Sequence, residues 1–121
     1  MIISGRVIHG EKIGKKLGYP TANLSRRALA RKRFKNGVYA AEVELKKRVY
    51  KALLVIGVLG IKKPKKGKVE VYLLNYHGNL YNKKLVVRVC RRLRGIKYYK
   101  SEEALKKQIR QDIQRAKKYF G

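Results

Sequence analysis

Acidic side chains are scarce: seven Asp and Glu stand against 33 Lys and Arg in 121 residues, a formal net charge of +26. So few carboxylates leave few candidates for acid–base chemistry, and each can be weighed singly. Cysteine occurs once, at Cys90, which excludes an intramolecular disulfide. Set among Val86, Val87 and Val89, it is expected to pack as a small hydrophobe. Long hydrophobic runs are missing. Nothing approaches the roughly 18 apolar residues that cross a bilayer, and Met1-Ile2-Ile3-Ser4 is too short for the core of a signal peptide, so a cytoplasmic address without membrane contact is expected. There is no internal repeat, no Pro-, Gly- or Ser-rich linker and no compositional shift, which predicts one domain over residues 1–121. No zinc-ligand spacing, nucleophile elbow or dinucleotide fingerprint is found. His9 and His77 stand singly and read as surface or loop residues.

What is present is a globular pattern. Hydrophobic residues make up 45% of the chain, in short clusters separated by Gly, Asn and Lys-rich stretches. A fold of this length buries roughly two thirds of the surface its unfolded chain exposes, enough for one core. The positive field calls for a polyanion. A solvated basic surface, a nucleic-acid binder and an enzyme that handles nucleotides all satisfy it, so charge alone does not choose among them.

Periodicity supplies the architecture. Ile2 to Ile8 is short and β-rich. From Gly37 to Leu45, Tyr39, Ala41, Val43 and Leu45 alternate with Val38, Ala40, Glu42 and Glu44, the period of a half-buried strand. Lys46-Lys47 allows a tight reversal into a strand over about Val49 to Ile56. Further strands are expected over Val69 to Tyr76 and Leu80 to Arg92, separated by the turn residues His77-Gly78-Asn79. Several antiparallel strands in so short a chain predict a small closed barrel. The C-terminus then changes period. Ser101 is a good N-cap, Glu102 and Glu103 suit the positive end of a helix dipole, and Leu105, Ile109, Ile113, Ala116 and Phe120 form one apolar stripe.

Among the acids, Glu102 and Glu103 serve the helix start, and Glu42 and Glu44 lie on the polar phase of their strand. Glu70 differs. It shares a strand face with Tyr72 and Leu74 while Val69, Val71 and Leu73 occupy the other, so the carboxylate is expected to be partly buried. There it is either a rim group paired with a lysine or a group with a chemical task. In Gly18-Tyr19-Pro20-Thr21-Ala22-Asn23, an extended backbone would put Thr21 and Asn23 on one side. Their hydroxyl and amide oxygens are hard neutral ligands, suited to a Mg²⁺ already carried by phosphates; an ordinary turn with a capping Asn23 is the plain alternative. The Gly10 to Gly18 stretch, with Lys12, Lys15 and Lys16, reads as a loop able to wrap phosphates. It is not a Walker A loop, since Lys16 stands where Ser or Thr is required.

Taken together, Gly5-Arg6-Val7-Ile8-His9-Gly10 and Gly14-Lys15-Lys16-Leu17-Gly18-Tyr19-Pro20-Thr21-Ala22-Asn23-Leu24 resemble the opening of the riboflavin kinase family. Gly37-Val38-Tyr39-Ala40, Val69-Glu70-Val71-Tyr72-Leu73-Leu74, Leu80-Tyr81, Leu93-Arg94 and the Ser101 to Asp112 stretch follow in the family's order. The resemblance runs from about Ser4 to Lys118. It implies a six-stranded antiparallel Greek-key barrel with a C-terminal α-helix, and transfer of the γ-phosphate of Mg-ATP to the ribityl 5′-hydroxyl of riboflavin, giving FMN. By position, Thr21 and Asn23 inherit contacts to Mg²⁺ and nucleotide phosphate, and Glu70 inherits the general-base role. Gly10, Lys15, Gly18 and Pro20 fall to the phosphate-binding stretch, and Arg94 to a segment near flavin and phosphate. Asp112 matches a recurring helix acid.

There are departures. Val55-Ile56-Gly57 followed by Val58-Leu59-Gly60 replaces the family's usual Asn-Ile-Gly and Pro-Thr elements, Asn75 stands for a common Asp, and Tyr81-Asn82 for Tyr-Gly. Bacterial relatives often carry an FMN adenylyltransferase domain ahead of this module; none lies in these 121 residues, so FAD synthesis is not expected. Riboflavin and ATP are the expected partners of a monomer, with non-specific nucleic-acid contact from the net charge. The rival readings are a non-catalytic RNA-binding barrel, stacking bases on Tyr50, Tyr98 and Tyr99 amid Lys and Arg, and a flavin-binding protein that no longer turns over.

Overall fold

Alternating apolar residues close six strands into a barrel, seen in a computed structural model that describes residues 1–8, 21–29, 34–57 and 68–121. The strands are β1 (Ile2–Ile8), β2 (Thr21–Leu24), β3 (Gly37–Leu45), β4 (Arg48–Gly57), β5 (Lys68–Leu73) and β6 (Lys84–Arg94); a 3₁₀ turn spans Arg26–Leu29, and helix α1 spans Glu102–Phe120. Their order around the barrel is β1-β2-β5-β4-β3-β6, and each pairing among the described residues is antiparallel. Strands β3, β4 and β5 are successive neighbours while β6 returns to lie beside β3, which is a Greek key. Closure gives every strand two neighbours, with the β1–β2 seam the shortest at two residue pairs.

Two cores follow from this arrangement. The barrel interior holds Ile3, Val7, Ala22, Leu24, Tyr39, Ala41, Val43, Leu54, Ile56, Val71, Leu73 and Leu85, among others. Outside the barrel, Val38, Ala40, Leu53, Val55, Tyr72 and Leu74 meet Leu105, Ile109, Ile113 and Ala116 of α1. The helix stripe is therefore the expected one, and each Leu or Ile so buried stabilises by roughly 1.5–3 kcal/mol. Ser101 caps α1 through Oγ, which accepts from Ala104 N at 3.1 Å. Helix cover also explains why Val38 and Ala40, on the phase that turns polar at Glu42 and Glu44, are buried.

Strand ends differ from their sequence expectation. Lys46 (φ 49°) and Lys47 (φ 67°) both take the left-handed conformation, the tight hairpin geometry whose twist matches the strands. Strand β5 ends at Leu73 and β6 begins only at Lys84. Leu80 is buried in the barrel core, yet as part of a turn: its carbonyl accepts from Lys83 N at 3.1 Å, and Asn79 Oδ1 accepts from Tyr81 N at 2.8 Å. An apolar residue that plugs a barrel end looks like a strand residue in sequence. Asn82, at φ 63°, takes the left-handed conformation in this turn, one that Asn tolerates better than other non-glycine residues. Cys90 is not a core hydrophobe. It is half-buried beside the Glu42–Arg88 ion pair, with Sγ 3.8 Å from Glu42 Oε1, because β6 turns this residue outward.

Candidate active site

Strand β2 is only four residues long, and its two neighbours dictate where its side chains go. It pairs with β1 at Val7↔Leu24 and Ile8↔Asn23, and with β5 at Thr21↔Tyr72, Ala22↔Val71, Asn23↔Glu70 and Leu24↔Val69. Ala22 and Leu24 enter the barrel interior. The two-residue period therefore turns Thr21 and Asn23 to the outer wall, the side of Tyr72 and Glu70. Asn23 and Glu70 are register partners, and directly opposed residues hold their Cβ atoms about 4.5–5.5 Å apart. Both are nearly enclosed, at 6% and 8% exposure.

Tyr72, fully buried two residues along β5, donates its hydroxyl to Glu70 Oε2 at 3.4 Å. Burial pushes the phenol far above its ordinary value, and the charge of Glu70, the hydrogen bond to it and the charge of Asp112 add in the same direction. The phenol consequently stays protonated and remains a donor toward the carboxylate. Glu70 is thus neither on a solvent-facing rim nor in an apolar void.

The helix contributes the other end of the cluster. Asp112 is fully buried and grips Arg94 in a two-pronged ion pair, Nε to Oδ1 at 2.7 Å and Nη2 to Oδ2 at 2.6 Å. Gln108, one turn earlier, donates Nε2–H to Asp112 Oδ1 at 3.1 Å, and Arg94 Nη1 donates to Gly95 O at 2.9 Å. Burial alone would lower the Arg94 guanidinium, but the hydrogen bonds and charge of Asp112 outweigh it and raise its pKa. Tyr99 is raised by burial, with Arg94 opposing. Backbone packing fixes the same corner: a Cβ on Gly37 would stand 2.6 Å from Arg94 O, so only glycine fits there.

Thr21, Asn23 and Glu70 are therefore brought together on one wall, and Arg94 is anchored to helix α1, which packs against Tyr72 beside them. The link between the two ends is Tyr72, which feels both Glu70 and Asp112. Gly10, Lys15, Gly18 and Pro20 lie outside the described residues, as do Val58, Leu59 and Gly60 among the departures noted above. Two contributors escaped the sequence reading. The Tyr72 hydroxyl was detectable as a polar tip two residues from Glu70 on the same strand face. Gln108 was detectable as the residue four before Asp112.

Among the described residues no group of three His, Cys, Asp or Glu could hold a metal ion. The donor set on the wall is instead an alcohol and an amide oxygen with one carboxylate opposite. That chemistry fits a Mg²⁺ that arrives with a nucleotide, which brings phosphate and water ligands of its own, and does not suit a resident cage. No helix among the described residues is long and apolar enough to cross a membrane.

Fold and wall define a class: a small Greek-key barrel packed against a C-terminal helix, whose outer face carries one enclosed carboxylate opposite neutral oxygen donors. Within that class the particular family is settled by comparison. The family model described as riboflavin kinase matches residues 1–120, and the chain belongs to that family. It is 44% identical over 124 residues to the bifunctional riboflavin kinase/FMN adenylyltransferase of Buchnera aphidicola subsp. Schizaphis graminum, covering 98% of this chain and 38% of that protein. It is 32% identical over 124 residues to an RNA-binding riboflavin kinase of Bacillus subtilis, covering 98% of this chain and 51% of that one. The riboflavin kinase structure from Trypanosoma brucei superposes with a TM-score of 0.64 at 22% identity, covering 98% of this chain and 78% of that one, and shares the fold. The chain thus spans less than half the length of the bifunctional relative it matches.

Proposed function

We propose that this chain, as one folded unit, moves the γ-phosphoryl group of Mg-ATP to the ribityl 5′-hydroxyl of riboflavin, forming FMN and ADP. In the transfer the acceptor oxygen bonds to the γ-phosphorus, the bond to the ADP oxygen breaks, and the hydroxyl proton passes to Glu70. Thr21 Oγ1 and Asn23 Oδ1 are the ligands this wall offers to the nucleotide-borne Mg²⁺, which when bound neutralises charge on the phosphate oxygens. Gly10, Lys15, Gly18 and Pro20 belong to the nucleotide side of this reading by sequence. Arg94, held by Asp112, supplies positive charge on the flavin and phosphate side.

The observation that carries the reading is the register pair Asn23↔Glu70. It brings the candidate base next to the donor-side ligands, and phosphoryl transfer asks chiefly for that alignment together with charge neutralisation. Membership of the riboflavin kinase family supports it. The adenylyltransferase activity named for the bifunctional relative is not part of the proposal. A monomer working in the cytoplasm, where ATP is held, completes it.

The decisive experiment incubates purified protein with riboflavin, ATP and Mg²⁺ and follows FMN by chromatography with fluorescence detection. Steady FMN formation that requires both ATP and Mg²⁺ is expected. Tight riboflavin binding with no FMN would replace the kinase by a flavin-binding protein. A second reading, contact with nucleic acid beside the kinase activity, is favoured by the net charge of +26 and by the name of the Bacillus subtilis relative.

A further inference from the structure

Beyond the Arg94–Asp112 corner, β6 and the last turns of α1 enclose a groove of about 290 Å³ lined by Arg91, Leu93, Arg115, Lys118 and Tyr119. It adjoins the candidate active site without sharing a residue with it: Leu93 precedes Arg94 and Arg115 stands one turn past Asp112, while Lys118 is six residues past Asp112, about 9 Å along the helix. Arg115 and Lys118 are three apart, so they sit side by side on one helix face, and Arg91 approaches from the strand.

Along β6, Arg88 and Arg94 have carboxylate partners, Glu42 and Asp112, and Arg92 donates to the Asn36 carbonyl. Among the described residues no carboxylate is paired to Arg91, Arg115 or Lys118, and no acid lines the groove. Glu102 and Glu103 lie at the opposite end of α1, at least 15 residues and about 22 Å from Lys118. Three mutually repelling cations around one concavity are relieved by a bound anion. The groove also has an aromatic rim. Tyr119 is 44% exposed, and its ring is braced edge-on by Phe120 at 5.1 Å, which itself packs on the helix–barrel core.

We propose that this groove binds single-stranded nucleic acid, with Arg91, Arg115 and Lys118 against backbone phosphates and the Tyr119 ring stacked on a base. The inference rests on the nucleic-acid reading above and gives it a location. A positively charged groove with an aromatic platform is the usual means of holding single strands without reading sequence. Lys107, exposed three turns before Lys118 on the same side of the helix, extends the positive track beyond the groove and favours a polymer over a mononucleotide. An anionic membrane fits less well, because the site is concave and offers no set of large aliphatic side chains to insert.

The test uses the whole chain and fluorescence anisotropy with labelled oligouridine and oligothymidine across a salt series, heparin as a polyanion without bases, and vesicles containing phosphatidylserine. The variant Arg91→Glu/Arg115→Glu/Lys118→Glu should weaken oligonucleotide binding on the order of 100-fold and flatten the slope of log affinity against log salt by about 2. A charge-matched control at the other end of the barrel, Lys46→Glu/Lys47→Glu/Lys84→Glu, should cost under about threefold. Tyr119→Ala should weaken oligonucleotide binding about tenfold, the size of one lost base stack, and leave heparin binding unchanged. FMN formation by the groove triple at the wild-type rate would show that its fold and active site are intact; should that triple not fold, Tyr119→Ala decides alone. Equal losses in both triples, equal losses of heparin and oligonucleotide on Tyr119→Ala, or vesicle binding as strong as oligonucleotide binding would overturn the groove while leaving a diffuse basic field. Absence of any oligonucleotide binding by the wild type would overturn the nucleic-acid reading itself. Comparing the uridine and thymidine strands tells RNA from DNA as the source of the shared phosphodiester chemistry.

Discussion

Asn23 and Glu70 face each other across the β2–β5 pair, each almost fully enclosed and each turned to the outer wall of the barrel. The pairing is a consequence of register. A slip of one residue would exchange them with Ala22 and Val71, bury two polar groups among the aliphatic side chains of the interior and expose the apolar set. The interior therefore holds the wall in place: Ala22, Leu24, Val69 and Val71 are locked into one core, and the polar positions between them have no freedom to drift.

Glu70→Gln tests the proton acceptor. The amide keeps the shape and can still meet the Tyr72 hydroxyl, but it cannot take a proton. FMN turnover should fall by on the order of 10² to 10⁴ while the thermal midpoint stays within a few degrees. Activity close to wild type would remove Glu70 from the chemistry.

Asn23→Ala tests the donor side. Loss of one oxygen ligand is expected to raise the Mg²⁺ concentration for half-maximal FMN formation about tenfold, the effect of about 1.4 kcal/mol. Glu70→Gln, measured the same way, should leave that concentration near its wild-type value. A Mg²⁺ requirement unmoved by Asn23→Ala would place the metal elsewhere.

Much of this was legible in the sequence because hydrophobic period maps directly onto strand and helix faces. The stripe of Leu105, Ile109, Ile113 and Ala116 and the alternation from Tyr39 to Leu45 both correspond to buried faces. The enclosure of Glu70 was legible too, since apolar neighbours at both phases leave a carboxylate little water. What period could not supply was depth and partnership. Nothing local distinguishes Leu80 in a turn from Leu80 in a strand, because burial at a barrel end is set by closure. Cys90 among valines reads as core, and only the path of β6 beside Glu42 turns it outward. The Arg94–Asp112 pair joins residues 18 apart through the docking of α1, so neither residue announces the other.

That ion pair is nevertheless a measurable quantity. Asp112 has no exposure and the Arg94 side chain is 11% exposed, so Asp112→Ala strands a nearly buried guanidinium. A loss of about 3–5 kcal/mol in unfolding free energy is expected, read from denaturant midpoints. The double variant Arg94→Met/Asp112→Leu, which removes both charges, should recover most of that stability without recovering FMN formation. Recovery of both would mean that the pair serves packing alone and that Arg94 has no part in the reaction.

Tyr72 gives the pH prediction. Burial, with Glu70 adding to it, raises the folded-state phenol above its unfolded value of about 10. Below pH 10 both states hold the proton and this group makes no contribution to the slope. Above it the unfolded chain releases a proton that the folded one keeps, so the folded state is disfavoured as pH rises, by about 1.4 kcal/mol per pH unit. Tyr72→Phe keeps the ring and removes the titration. Its stability, measured by urea unfolding from pH 9 to 11, should fall less steeply with pH than that of the wild type. Below pH 10 it should lie about 0.5–1.5 kcal/mol lower, for the hydrogen bond lost to Glu70. Parallel curves in the alkaline range would mean that the hydroxyl reaches water, and would free Glu70 from the donor that now faces it.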